Sequence, residues 1–125
     1  MSLIDDVKSL LSSVSSSIWL DTMPDQPDNI VALFHSGGGG SQHILEQKGV
    51  VWENPTFQVR VRHAVALTAV QWAQSIKGIL DGISNTVINA HTYLSVTSSG
   101  DIINLGKDDK DRSEYSLNFI CKVKF

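Results

Sequence analysis

The sequence predicts an α+β domain in which two helices pack on one face of a mainly antiparallel sheet. Three observations carry that prediction. Apolar residues recur at helical spacing twice, once at the N-terminus and once over residues 65–80. Apolar runs of strand length separate and follow those two segments. Over residues 115–125, Tyr115, Leu117, Phe119, Cys121, Val123 and Phe125 alternate with Ser116, Asn118, Lys122 and Lys124, Ile120 being the exception. Alternation of that length is a strand with one apolar face.

In chain order, Leu3, Ile4, Val7, Leu10, Leu11 and Val14 form the apolar stripe of a first helix. Ser2 stands three residues before Asp5, as in a capping box. The serines at 12–13 and 15–17 weaken the pattern and predict an end near residue 15. Ile18–Leu20 reads as a short strand and Met23–Asn29, with Pro24 and Pro27, as a turn; Ile30–Phe34 is a second strand. From residue 35 to about 54 the four glycines Gly37–Gly40 and the lack of periodicity predict a mobile loop or an extended arm. Phe57, Val59 and Val61 alternate with Gln58, Arg60 and Arg62 as a half-buried strand. Helical spacing returns from Val65 through Leu80, with Gly82 placed for a left-handed cap. Thr86–Ile88 and His91–Val96 read as one strand or as a bent pair around Asn89–Ala90, and further strands are predicted at Ile102–Leu105 and Tyr115–Phe125, with turns at Ser98–Asp101 and Gly106–Arg112. The whole of 1–125 reads as one domain without an internal repeat.

The chain has 125 residues, 42% hydrophobic and 18% charged, which suffices for a single core. About a quarter charged is usual, so the low fraction predicts a surface partly covered by partners. A net charge of −3 gives no global attraction to nucleic acid or anionic membranes. No apolar run approaches the roughly 20 residues that span a bilayer, and Asp5 and Asp6 stand where a secretory leader carries positive charge. Cys121 is the sole cysteine, so no intrachain disulfide forms and assembly in a reducing cytoplasm is expected.

Residues that carry chemistry are sparse. His35, His43, His63 and His91 lack any metal-ligand spacing with one another or with Cys121, and no metal or cofactor is expected. Gly37–Gly40 are followed by Ser41, Gln42 and His43 rather than the Lys-Ser/Thr of a phosphate loop. Lysines interleave with Asp108, Asp109 and Asp111 and no central glycine is present, which excludes a calcium loop and predicts a solvated turn. No serine sits in a GxSxG elbow. The expectation is a protein that is not an enzyme. Three features point instead to contacts with partners. Gln58, Arg60 and Arg62 form a basic stripe on the polar side of a strand, read either as an exposed sheet face or as a subunit interface. The Gly37–Gly40 segment could reach a neighbour. Trp52, between that segment and Pro55, is a candidate interface anchor, whereas Trp72 reads as core.

The order of motifs resembles the minor capsid proteins of siphophages and related prophages, which are tail-terminator-like. The resemblance rests on Met23–Asn29 (MPDQPDN) followed by the Ile30–Phe34 strand and the glycines after it, and on Pro55–Arg62 (PTFQVRVR). Ala69–Gly82, Tyr93, the Leu105–Asp108 turn, Arg112 and Tyr115–Phe119 complete it, from about Leu3 to the C-terminus. Four consecutive glycines and the lysine-rich end Lys122–Phe125 depart from the pattern.

The resemblance implies a tail-terminator-like fold and a ring of identical subunits, usually a hexamer. Such a ring caps the tail tube, stops its polymerisation and joins it to the head connector. Its partners would be the tail tube protein and the head–tail connector, with DNA only passing through and no membrane involved. It would sit at the head-proximal end of the virion tail after assembly in the bacterial cytoplasm. The alternatives are a head–tail connector or head-completion subunit and, from another class, a small ligand-binding or hydrolytic prophage domain.

Overall fold

The computed structural model describes residues 3–15, 17–43 and 51–124. Among them are two helices, α1 (Leu3–Leu11) and α2 (Ala66–Leu80), and seven strands. The strands are β1 (Ile18–Leu20), β2 (Ile30–His43), β3 (Val51–His63), β4 (Ile83–Ile88), β5 (His91–Ser98), β6 (Ile103–Lys107) and β7 (Ser113–Lys124). They form one sheet in the order β1-β2-β3-β7-β5-β4, with β6 also paired to β7. β1 runs parallel to β2, and the other pairs are antiparallel. The class is therefore α+β, as the alternation of two periodicities predicts.

α1 buries Ile4, Val7 and Leu11, the residues at i, i+3 and i+7 of the predicted stripe. It ends at Leu11, short of residue 15. The hydroxyls of Ser9 and Ser12 donate to the carbonyls of Asp5 and Ser9 at 3.1 and 3.2 Å, the local competition by which serines weaken a helix. Ser2, the predicted cap, lies outside the described residues. α2 buries Ala69, Ala73, Ile76 and Leu80 and ends at the Asp81 cap. Gly82 follows at φ +91°, a left-handed conformation that glycine adopts without a Cβ clash.

The largest departure from the sequence reading is the glycine segment. Residues 35–43 continue β2 and residues 51–54 belong to β3, so they are paired strand rather than loop. Gly38 opposes Pro55, Gly39 opposes Asn54, Gln42 opposes Trp52 and His43 opposes Val51, with register shifts between His35 and Gly38 and between Gly39 and Gln42. Glycines hide this strand from a period-two reading because they carry no side chain to alternate. Residues 44–50 of the predicted loop lie outside the described residues.

One core joins helices and sheet: Ile4, Val7 and Leu11 of α1 and the buried residues of α2 meet Val31, Leu33, Phe57, Val59, Val61, Leu117, Phe119, Cys121 and Val123. Phe57 opposes Phe119 in the β3–β7 register and the two rings stack, centroids 5.2 Å apart. Cys121 is buried and free, and burial pushes its thiol up to about 12, so it stays protonated and unreactive. Tyr115, predicted to face inward, is half-buried, and Ile120 is 43% exposed on the opposite face.

His63 fixes the start of α2. The Val65 N–H donates to His63 Nδ1 at 2.9 Å, so the neutral ring carries its proton on Nε2, and the ring meets the Trp72 indole edge-on at 4.8 Å. Burial lowers the His63 pKa below 6.5. A histidine whose folded pKa is depressed contributes stability above its unfolded pKa and loses it as pH falls through the folded value. Between pH 7.5 and 5, the melting temperature of the wild type should therefore fall more steeply than that of His63→Gln. Parallel curves would contradict this role.

Candidate functional site

The Met23–Asn29 turn is held by two buried arginines. Arg62, at the end of β3, donates from Nη2 to the carbonyls of Pro24 (2.7 Å), Asp25 (3.1 Å) and Pro27 (2.7 Å), and from Nε to that of Asp28 (3.1 Å). Arg112, just before β7, bonds the Asp25 carbonyl and forms ion pairs with Asp25, Asp28 and Asp108. The exposures of Arg62 and Arg112 are 4% and 5%. Arg112 holds the Asp108 carboxyl down at about 2, and Asp108 in turn raises the Arg112 pKa. Lys110 closes a further ion pair onto Asp25. The turn needs such donors because a compact loop with two prolines has few N–H groups of its own to meet its carbonyls.

This geometry corrects two readings of the sequence. Arg62 is not part of an exposed basic stripe: it is buried, and its guanidinium is committed within the chain to the carbonyls of the turn. The Asp108–Arg112 segment is only partly solvated, since Asp108 is half-buried against Arg112.

The other predicted residues are spread along β2 and β3. Gln58 and Arg60 are half-buried on the same side of β3, with Gln58 Nε2 at 3.5 Å from Asn118 Oδ1. Arg60 opposes Ala32 and Ser116, and its buried Nε has no hydrogen-bond partner among the described residues. The backbones of Gly37–Gly40 and Trp52 come together in the distal part of the β2–β3 hairpin, away from Arg60. Sequence reasoning missed the Arg62–Arg112 clasp, although Met23–Asn29, Arg62 and Arg112 all belong to the motif set that carries the family resemblance.

A second polar cluster brings a buried carboxylate, a histidine and a tyrosine together. Asp6 of α1 is buried and accepts hydrogen bonds from Asn89 Nδ2 (2.9 Å) and from the Tyr93 hydroxyl, and lies 2.7 Å from His91 Nδ1. All three partners belong to the β4–β5 hairpin, whose turn residues Asn89 and Ala90 both have positive φ. Burial, then the hydrogen bond to Asp6, raises the Tyr93 pKa, so the phenol remains a donor. The cluster pins α1 to the hairpin. Three open cavities of about 390–500 Å³ lie along α1, β1 and α2, and none is lined by Asp6, His91 or Tyr93. Among the described residues no three His, Cys, Asp or Glu side chains converge as metal ligands, and no helix is long and apolar enough to cross a membrane.

The fold and its clasped turn define a small α+β subunit whose Met23–Asn29 turn is tied to β3 and to the start of β7. Residues 7–125 match the model of the bacteriophage tail terminator protein family, and the chain belongs to that family. It is a phage tail structural protein. Among solved structures, a chain of the virion of a native gene transfer agent particle matches with a TM-score of 0.67 at 17% identity, covering 99% of this chain and 96% of that one. A second solved chain matches with a TM-score of 0.56 at 14% identity, covering 100% and 97%. At these identities the likeness is one of fold. A search of curated sequences gives no match.

Proposed function

We propose that this protein ends the phage tail tube: copies assemble into a ring, usually a hexamer in the family it resembles, that sits on the head-proximal end of the tube. The observation that carries this reading is the family match over residues 7–125. Fold likeness to a chain of a virion particle supports it. A globule of 125 residues has a radius of gyration of about 14 Å, too small to surround a DNA channel alone, so the channel needs several copies related by a closing rotation. The ring matches the tube on one side and offers the head connector a different surface on the other, so no further tube subunit can stack. DNA passes through without being read, and the protein catalyses nothing. Assembly takes place in the host cytoplasm.

Both helices are read as lying on the sheet face that carries Phe57, Val59, Leu117 and Phe119, because their buried residues share one core with these side chains. The opposite face, with Gln58, Arg60, Asn118, Ile120 and Lys122, is then left for neighbours. The distal β2–β3 hairpin, with Gly37–Gly40 and Trp52, is the arm proposed to reach the adjacent subunit. Electron microscopy of particles made without this protein tests the function. Overlong tubes of irregular length are expected, whereas tails of normal length separated from heads would assign it to the connector instead.

A further inference from the structure

β7 carries a charge gradient from one end to the other. Its twelve residues span about 40 Å at about 3.4 Å each. At its N-terminal end Asp25, Asp28, Asp108, Asp109, Asp111 and Glu114 outnumber Arg62, Lys107, Lys110 and Arg112. At its C-terminal end the balance reverses: Lys122 and Lys124 stand on the face opposite Phe119, against Glu53 of β3 at the Val123 register position, while Arg60 lies on the lysines' face of β3 but farther back, opposite Ser116. Their neighbours across β5 (Thr92, Ser95 and Thr97) are uncharged.

These three cations differ from most of the rest. Lys77, Lys107, Lys110 and Arg112 are in ion pairs, and Arg62 is bonded to carbonyls. Among the described residues Arg60, Lys122 and Lys124 have no such partner, nor has Lys8 on α1, and the buried Arg60 Nε is left without an acceptor. A buried guanidinium nitrogen without an acceptor is costly, and Arg60 is retained on this face at that cost. Around the cations the same face exposes Trp19 (38%), Ile103 (48%) and Ile120 (43%), placed there by the registers Trp19–Ala32–Arg60–Ser116–Ile103 and Thr56–Ile120–Thr97. Cations interleaved with partly exposed apolar side chains fit a protein surface better than a nucleic-acid backbone.

We propose that the C-terminal part of this open β3–β7 face, through Lys122 and Lys124, receives the acidic loop end of a second copy of the chain, the end bearing Asp109 and Asp111. The contact uses two different surfaces, so it is head-to-tail and can propagate around a ring. It rests on the reading that the protein acts as an assembly, and it assigns the surfaces by which copies meet.

Charge exchange tests it. K122E/K124E makes both surfaces acidic, and D109K/D111K makes both basic while leaving the Asp25–Asp28–Asp108 clasp intact. By sedimentation velocity at low salt, each variant alone should self-associate about tenfold or more weakly than wild type. An equimolar mixture should recover the wild-type distribution, and circular dichroism checks that both variants fold. Variants that associate as wild type does, or a mixture that stays monomeric, would overturn the proposal. So would duplex DNA binding, abolished by K122E/K124E, in a wild type that does not self-associate. A wild type that is monomeric throughout overturns this contact alone, because the tail-length experiment does not depend on association in solution.

Discussion

Phe119→Ala is expected to lower the free energy of unfolding by about 3–5 kcal/mol, a large part of the roughly 5–15 kcal/mol available to a small domain. Phe119 is fully buried at the centre of β7, stacked on Phe57 and enclosed by the residues through which both helices join the sheet. Truncation removes the ring's transfer free energy and leaves a cavity that two paired strands cannot close by moving together. Urea denaturation of the two proteins measures the difference through the midpoint. A loss below about 1 kcal/mol would mean that the site collapses freely and that the core is not organised around this pair.

Arg62→Ala is expected to cost about 2–4 kcal/mol and to act locally. Four carbonyls of the Pro24–Asp28 turn lose a hydrogen bond at once, and among the described residues only that of Asp25 keeps a second donor, Arg112. Arg62→Lys should recover only part of the loss, because an ammonium cannot reproduce a planar fork reaching several carbonyls. Hydrogen exchange should show faster exchange over residues 23–29 with β5 unchanged. Equal protection in that turn would contradict the clasp. Since the turn forms one end of the surface proposed to meet a neighbour, this substitution should also weaken assembly before it unfolds the domain.

Much of this was legible in the sequence wherever burial imposes a period. The alternation of Leu117, Phe119, Cys121 and Val123 and the spacing of Ala69, Ala73, Ile76 and Leu80 marked β7 and α2, because each buries one face. The distal part of β2 was hidden, since glycines carry neither propensity nor pattern and the pairing with β3 holds them as strand. The burial of Arg62 is hidden for a different reason. Its position on the polar side of β3 was right, but nothing local to that strand says that a turn more than thirty residues earlier folds over it. The proline–aspartate turn and the two arginines were visible as motif residues, while their hydrogen bonding is a property of tertiary structure. The Asp6 cluster was equally out of reach, because it joins residues more than eighty positions apart.

The central claim is that this chain ends tube growth, and tube length tests it most directly. Purified protein added at rising ratios to polymerising tail-tube subunits should shorten the tubes seen by electron microscopy and place one cap at a single end of each. Tubes whose lengths do not respond to the protein, or that bind it along their sides rather than at an end, would contradict the account.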